Sequence, residues 1–193
     1  MVKKPENTKQ KILLLGEKLL KEKGINAFSY HDISSSLGVK NAAVHYHFGS
    51  KEDLLLAIIE ENRKRFEQMI QQMGTAGHME VWNGLQEFIN IYISSIENNR
   101  QICLFGSLGS DFFTIGPKGQ TSLKLLSEKI LAWLSEILTE GRKRGEFEFK
   151  GHARIKAMML CSALAGGLQL ARISEKKDFY NLVDQIKSDL KPS

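Results

Sequence analysis

Apolar residues recur at intervals of three and four along nearly the whole chain, which is the pattern of helices that each bury one face. The first such segment is predicted to run from about Thr8 to Lys23. Its apolar face consists of Ile12, Leu15, Gly16, Leu19 and Leu20. No convincing run of alternating apolar and polar residues predicts strands. The periodicity therefore predicts an all-α fold.

Two serine–aspartate pairs predict where the next helices begin. Ser29 with Asp32 and Ser50 with Asp53 have the three-residue spacing of a capping box. In this motif each side chain binds the backbone N–H of the other residue. We therefore expect one helix to begin just after Ser29 and another just after Ser50.

Glycines and buried residues divide the rest of the N-terminal region. Gly38 makes a turn after the second helix, and a third helix is predicted from about Asn41 to His47. Val44 and Phe48 are expected to point into the core. The fourth helix is predicted from Lys51 to about Met73. Three short helices with a tight turn between the second and third indicate a helix-turn-helix.

The best candidate boundary in the second part of the chain is the segment 74–77, which contains two glycines. Residues 101–115 are predicted to form a short helix and a loop that ends at Pro117. Longer helices are predicted at about 81–96, 121–142, 152–173 and 176–190. We expect an N-terminal domain at 1–50, and a connecting helix with a second helical domain at 51–193.

Positive charge is concentrated near the N-terminus. The 193 residues carry a net charge of +5, of which +4 lies within residues 1–50. A basic surface favours a polyanion such as DNA, although a solvated lysine-rich face would explain the charge equally well. No run reaches the roughly 20 apolar residues of a membrane span. The two cysteines, Cys103 and Cys161, lie in apolar segments and predict reduced thiols and a cytoplasmic location.

The outer face of the third helix is polar and sterically modest, as a helix in the major groove must be. It offers Lys40, Asn41, Ala42, Ala43, His45, Tyr46 and His47. Asn41 can make paired hydrogen bonds to adenine, and either alanine can contact a thymine methyl. Lys40 and Lys51 suit phosphates, the latter with a phosphate bound against a helix N-terminus.

The remaining candidates each have an alternative. Tyr30 and His31, at the start of the second helix, are further candidate DNA contacts, although His31 could equally be an ordinary surface residue. Tyr46 could instead pack against the neighbouring helix. His45 and His47 are two residues apart, so they point to different sides of a helix and do not predict a shared metal.

This region resembles the TetR/AcrR family of transcriptional regulators over about residues 8–60. The family's pattern stands here as Gly38-Val39, Val44-His45-Tyr46-His47-Phe48, Ser50-Lys51-Glu52 and Leu54-Leu55. The family usually has a phosphate-binding tyrosine where this chain has His45, and Tyr46 lies next to it. The resemblance implies a dimeric regulator with an effector pocket among its middle helices.

Almost every position between Ile155 and Ala171 is apolar or small. A helix that is apolar all round needs burial on all sides, by the core and by a second subunit. We therefore expect a homodimer through about 121–142 and 152–173, and the resemblance implies the same four-helix bundle. The alternative is a helix that is merely central to the core.

The family's effector pocket implies a set of aromatic and methionine residues as its lining. They are Phe66, Met69, Trp82, Phe88, Tyr92, Phe105, Phe112, Phe113, Trp133 and Met158. Ordinary core packing is the alternative for each. The set is rich in aromatic and methionine side chains and has few charges, which favours an apolar or aromatic small molecule as the ligand.

The residues and the resemblance together imply a DNA-binding domain at 1–50 and a ligand-binding and dimerisation domain, with its connecting helix, at 51–193. The resemblance further implies a homodimeric repressor that binds a partly palindromic operator in double-stranded DNA and is released by a small-molecule effector. An activator, or a DNA-structuring protein without an effector, stays open, as does a helical interaction protein that binds no DNA. No nucleophile–base set, phosphate loop, metal cluster or cofactor motif indicates an enzyme. No catalytic residue, metal or cofactor is therefore expected, and no association with a membrane.

Overall fold

The computed structural model describes residues 8–74 and 80–192. Within these ranges the chain forms α-helices, one 3₁₀ turn at Ile25–Ala27 and no strand. The helices are α1 (Thr8–Lys23), α2 (Tyr30–Leu37), α3 (Asn41–His47), α4 (Lys51–Met73), α5 (Val81–Glu97), α6 (Leu104–Ser110), α7 (Pro117–Lys143), α8 (Ala153–Leu170) and α9 (Lys176–Ser188). The all-α fold predicted from the periodicity is confirmed.

The first four helices have the bounds that their caps predict. Ser29 and Ser50 each form a complete capping box with the aspartate three residues on. Gly38 ends α2 with φ 65° and ψ 30°, a left-handed conformation that glycine adopts without steric cost. The 3₁₀ turn before α2 was not predicted. It follows Gly24, whose φ of 87° ends α1.

The helices of the second part differ from the prediction mainly at their ends. α7 begins at Pro117, about four residues before the predicted start. Proline suits this place because the first residue of a helix needs no N–H donor and its fixed φ is already helical. α8 ends at Leu170, earlier than predicted. Of the predicted boundary at 74–77, Gly74 ends α4 and the rest lies outside the described residues.

The buried apolar residues form two clusters. One joins α1, α2 and α3 to the first turns of α4, to α6 and to the start of α7. The other fills the space between the end of α4, the rest of α7, and helices α5, α8 and α9. Because α4 and α7 contribute to both clusters, they connect the helix-turn-helix to the remainder of the protein.

The end of α1 is fastened directly to the second part of the chain. The hydroxyl of Ser107 donates to the carbonyl of Leu20 at 2.6 Å, and the N–H of Ile102 donates to the carbonyl of Lys21 at 3.2 Å. The carboxylate of Asp111 accepts the first N–H of the 3₁₀ turn at 3.2 Å. Groups left unpaired at a helix end are thereby satisfied by α6 and its flanking loops.

Both cysteines are free thiols, as predicted. Cys103 is buried, whereas Cys161 is half-buried. Burial raises the pKa of the Cys161 thiol to about 12. Such a thiol is protonated at neutral pH and therefore unreactive.

No helix within residues 8–74 and 80–192 combines the length and the apolar character needed to cross a membrane.

Gly141 provides a test of the packing between α7 and the loop that follows it. A Cβ atom at this position would lie 2.1 Å from Cδ2 of Phe147, a ring that is only 2% exposed. We expect Gly141→Ala to lower the free energy of unfolding by about 1–3 kcal/mol, because a buried ring must move. Urea denaturation at fixed protein concentration measures the change.

Gly109→Ala is the matched control, since a Cβ there meets nothing within 4 Å and the residue lies in α6. Alanine is the better helix former, so this variant should match or exceed the parent in stability by up to about 1 kcal/mol. Equal destabilisation of both variants would contradict the packing described for Gly141.

Candidate nucleic-acid interface

The two faces of α3 have opposite environments. Val44 is fully buried and Phe48 is 4% exposed, and both pack into the N-terminal core. Asn41, Ala42 and Tyr46 are exposed on the other side. The turn at Gly38 sets α3 against α2, as in a helix-turn-helix.

The structure places most of the predicted DNA contacts at this surface. Lys40, Asn41, Ala42, His45 and Tyr46 are exposed, and Ala43 and His47 are half-buried. Tyr46 is 86% exposed, so it does not pack against the neighbouring helix. Its ring meets that of His47 edge-on, with centroids 5.1 Å apart. His31 is exposed on α2, with its Nε2 at 3.4 Å from the hydroxyl of Ser35.

Tyr30 lies behind the surface. It is 8% exposed, its hydroxyl donates to the carbonyl of Ser50, and its ring meets the exposed ring of His45 edge-on at 4.8 Å. Burial, together with the charge of Asp53, raises the pKa of Tyr30 to about 12. The structure therefore does not bring this predicted contact to the exposed face. Its hydroxyl instead joins α2 to the start of α4.

Lys51 is also turned inward. Its ammonium donates to the carbonyl of Phe28 and lies 4.5 Å from the centre of the Phe28 ring. Burial lowers the pKa of Lys51, against the opposing effect of Asp32 and Asp111. The carbonyl and the ring compensate for placing a cation in the first turn of a helix. The predicted phosphate contact would require the ammonium to leave this carbonyl.

Among the described residues, no group of three or more histidine, cysteine or acidic side chains could hold a metal ion. His45 and His47 belong to no such group.

A cavity of about 1030 Å³ lies between α1, α4, α5, α6 and α7. Five of the ten predicted pocket residues line it: Phe66, Met69, Phe88, Tyr92 and Phe105. These residues come from α4, α5 and α6, and they make one part of the wall aromatic.

The other five predicted pocket residues lie elsewhere. Phe113 is 90% exposed and Met158 is 46% exposed, so neither lines a cavity. The ring of Trp82 packs edge-on against Phe147, and that of Trp133 stands behind Phe66. Phe112 is half-buried in the loop before α7, with the ammonium of Lys124 over its ring. Aromatic character alone did not distinguish lining residues from core or surface residues.

The wall of the cavity also carries polar and charged side chains. Glu17 and Lys21 of α1 and Asn62 and Arg65 of α4 line the cavity together with the aromatic residues. Glu17 is the one clear signal in the sequence, because it stands next to Gly16 on the predicted apolar face of α1. A buried carboxylate requires hydrogen-bonding partners, so polar or cationic side chains are expected beside it.

A helix-turn-helix with a polar face on its third helix, joined to a larger helical part with a cavity between the two, defines a DNA-binding regulator. Comparisons with known proteins place this class in a family. Residues 12–58 match the family described as bacterial regulatory proteins of the tetR family.

Relatives match over most of the chain. It is 25% identical to the HTH-type transcriptional repressor BepR of Brucella suis biovar 1 over 167 residues, 83% of this chain and 78% of that protein. A TetR regulator from Legionella pneumophila is 28% identical, with a TM-score of 0.84 over 96% of this chain and 98% of that one. A TetR-family regulator from Agrobacterium tumefaciens, 23% identical, has the same fold, with a TM-score of 0.87 over 98% of this chain and all of that one. The N-terminal region thus matches the TetR family of transcriptional regulators, and most of the chain is similar to regulators of that family.

Tyr30→Phe distinguishes a structural role from direct contact with DNA. The variant loses the hydrogen bond to the Ser50 carbonyl, so its free energy of unfolding should fall by about 0.5–1.5 kcal/mol. The affinity for DNA should not change. Thermal unfolding and binding titrations at fixed salt measure the two effects.

The matched control is Tyr46→Phe, which removes the same hydroxyl from a side chain that is 86% exposed. Its unfolding should match that of the parent. If Tyr30→Phe instead kept full stability and bound DNA more weakly, Tyr30 would be a phosphate contact.

Proposed function

We propose that the protein is a homodimeric repressor that places α3 in the major groove of a partly palindromic operator and leaves the DNA when a small molecule occupies the cavity. The observation that carries the proposal is the exposed polar face of α3 above a buried Val44 and Phe48. The repressors among the relatives support repression rather than activation.

The exposed residues of α3 divide by chemistry. Asn41 reads adenine through its amide, and Ala42 with Ala43 contacts thymine methyls. Lys40, His45 and Tyr46 face the phosphate backbone, which fixes the register of the helix in the groove. Lys51 joins them when its ammonium exchanges the Phe28 carbonyl for a phosphate.

A stripe on the outer face of α8 supports the dimer. Ile155, Met158, Met159 and Leu170 are 54%, 46%, 59% and 63% exposed, on the side opposite the buried Leu160 and Leu164. Exposed apolar stripes of this kind mark protein interfaces. Half-buried Ala165 and Gly166 between them allow close approach. Helices 121–142 and 152–173 of two subunits pair there, which sets two α3 helices about 34–36 Å apart.

The cavity supports an effector. Its aromatic wall suits an apolar or aromatic ligand, and its walls include α1 and α4. α4 runs without a break from the cavity to Ser50, next to the end of α3. A ligand that favours one arrangement of these helices therefore shifts the two α3 helices away from the operator spacing.

DNA binding is tested by selecting genomic fragments with the purified protein and measuring their affinity by gel shift. Asn41→Ala should cost about 1–3 kcal/mol at one base position in each half-site and relax the preference there. Lys40→Ala should weaken binding to every sequence and reduce the slope of log affinity against log salt by about one unit.

Lys64→Ala is the control for charge, because Lys64 lies on α4 with its side chain 56% exposed and beside Glu60. It should bind like the parent. Parent-like binding by the α3 variants as well would show that the interface lies elsewhere.

The dimer is tested by Met159→Lys, which places a charge in the middle of the α8 stripe. The variant should sediment as a monomer at micromolar concentration and bind the operator only weakly. Phe113→Lys removes another exposed apolar side chain, outside the proposed interface, and should remain dimeric. Dissociation of both variants alike would move the interface away from α8.

A further inference from the structure

We propose that the cavity takes ligands with an aromatic or apolar body and a carboxylate group, and that this group competes with the carboxylate of Glu17 for the same donors. The inference rests on the proposed function and specifies the ligand chemistry of the cavity.

Glu17 is a carboxylate buried in the wall of the cavity. It is 5% exposed and lies on α1 between residues of the apolar face. Three side-chain donors converge on it. The ammonium of Lys21 donates to Oε1 at 2.6 Å, the amide of Asn62 donates to Oε1 at 3.1 Å, and the guanidinium of Arg65 donates to Oε2.

Electrostatics favour the charged form of Glu17. Burial raises the pKa of the carboxyl group, but the charges and hydrogen bonds of Lys21 and Arg65 outweigh burial and hold the pKa below its usual value. Both partners remain partly accessible, with side chains 17% and 46% exposed. The donor set is therefore organised to bind a carboxylate and can be reached from solvent.

The charge of this cluster favours an anion. Lys21 and Arg65 carry two positive charges against the single negative charge of Glu17, which leaves one positive charge in excess. The acids elsewhere on the wall do not offset it: Glu97 accepts from Tyr180 and pairs with Lys176, and Glu87 is exposed. Lys18 pairs only distantly with Glu22, at 4.0 Å.

The rest of the wall fits the body of the ligand. Phe66, Phe88 and Phe105 line the same cavity as the donor cluster. Phe66 is one residue beyond Arg65, so α4 presents a cation and an aromatic ring in succession to the cavity. An amphipathic acid can satisfy both parts of the wall at once, and its carboxylate competes with Glu17 for Arg65 and Asn62.

Competition has a structural consequence. Asn62 and Arg65 belong to α4, whereas Glu17 belongs to α1, so their hydrogen bonds tie the helix-turn-helix to the connecting helix. When a ligand takes both donors, Glu17 keeps only Lys21, on its own helix. A buried carboxylate that loses partners is costly, so α1 and α4 separate at this point.

The experiment compares three probes with one aromatic tail and different head groups: 5-phenylpentanoate, 5-phenylpentan-1-ol and 5-phenylpentylamine. Calorimetric titration of the full chain without DNA gives each affinity. We expect the carboxylate to bind about tenfold more tightly than the alcohol, and the ammonium most weakly. Equal affinities, a preference for the ammonium, or no binding of any probe would overturn the proposal.

Variants test the assigned residues. Arg65→Gln should remove the preference for the carboxylate while leaving the affinity for the alcohol unchanged. Lys64→Gln, which removes a neighbouring charge that does not line the cavity, should retain the preference. Loss of preference in both variants would indicate a general charge effect and overturn the assignment.

Glu17→Gln provides a second test, in which Arg65 itself is retained. It removes the competing negative charge, so 5-phenylpentanoate should bind about tenfold more tightly than to the parent, with the alcohol unchanged. Weaker binding of the carboxylate would overturn the proposal.

Operator binding measured on the same preparations separates failure of the ligand assignment from failure of the proposed function. A protein that binds DNA but does not prefer the carboxylate contradicts only the ligand assignment.

Discussion

Burial of Val44 and Phe48 is the constraint on which the DNA-binding surface depends. α3 has seven residues, fewer than the roughly 12–15 at which an isolated helix becomes even marginally stable. Its helical form must therefore come from packing against α1, α2 and the start of α4. Because only Val44 and Phe48 are needed to anchor α3, its remaining positions can carry side chains that contact DNA. An exposed aromatic ring such as that of Tyr46 contributes little to the core, and asparagine has only a modest helix propensity, so neither residue is explained by the stability of α3.

The same packing makes the N-terminal helices dependent on the rest of the chain. The carbonyls at the end of α1 are bonded by residues 102 and 107, and residues 101, 103, 104 and 105 line the cavity. Asn99 and Arg100, which lead into this segment, have φ values of 59° and 54°. A left-handed arginine costs about 1–2 kcal/mol, so surrounding contacts must impose it. One such contact is the bond from its guanidinium to the carbonyl of Ser174 at 3.2 Å. The edge of the cavity is thus held firmly against α1.

The sequence predicts the parts of this structure that local chemistry decides. The starts of α2 and α4 follow from Ser29 and Ser50 because a capping box involves residues three apart. The start of α7 was placed too late because Pro117 can end a loop or begin a helix, and only the packing beyond it decides. Of the ten predicted pocket residues, five line the cavity. Aromatic residues do not reveal whether they line a space, as Trp133 shows. Of the three partners of Glu17, Lys21 is four residues away on the same helix, but Asn62 and Arg65 lie 45 and 48 residues away on α4.

A single helix-turn-helix binds DNA weakly, which explains why the proposed repressor needs a second subunit. One such module, with a few phosphate contacts, binds poorly at physiological salt, so affinity must come from two modules bound together. Two linked modules are effective only when their separation matches the DNA, which makes affinity sensitive to small movements of α4. In the proposed mechanism, a ligand would weaken operator binding by changing only the contact between α1 and α4, where Glu17 meets Arg65. Because α1 and α4 both line the cavity, a bound ligand would act directly on the two helices that set the position of α3.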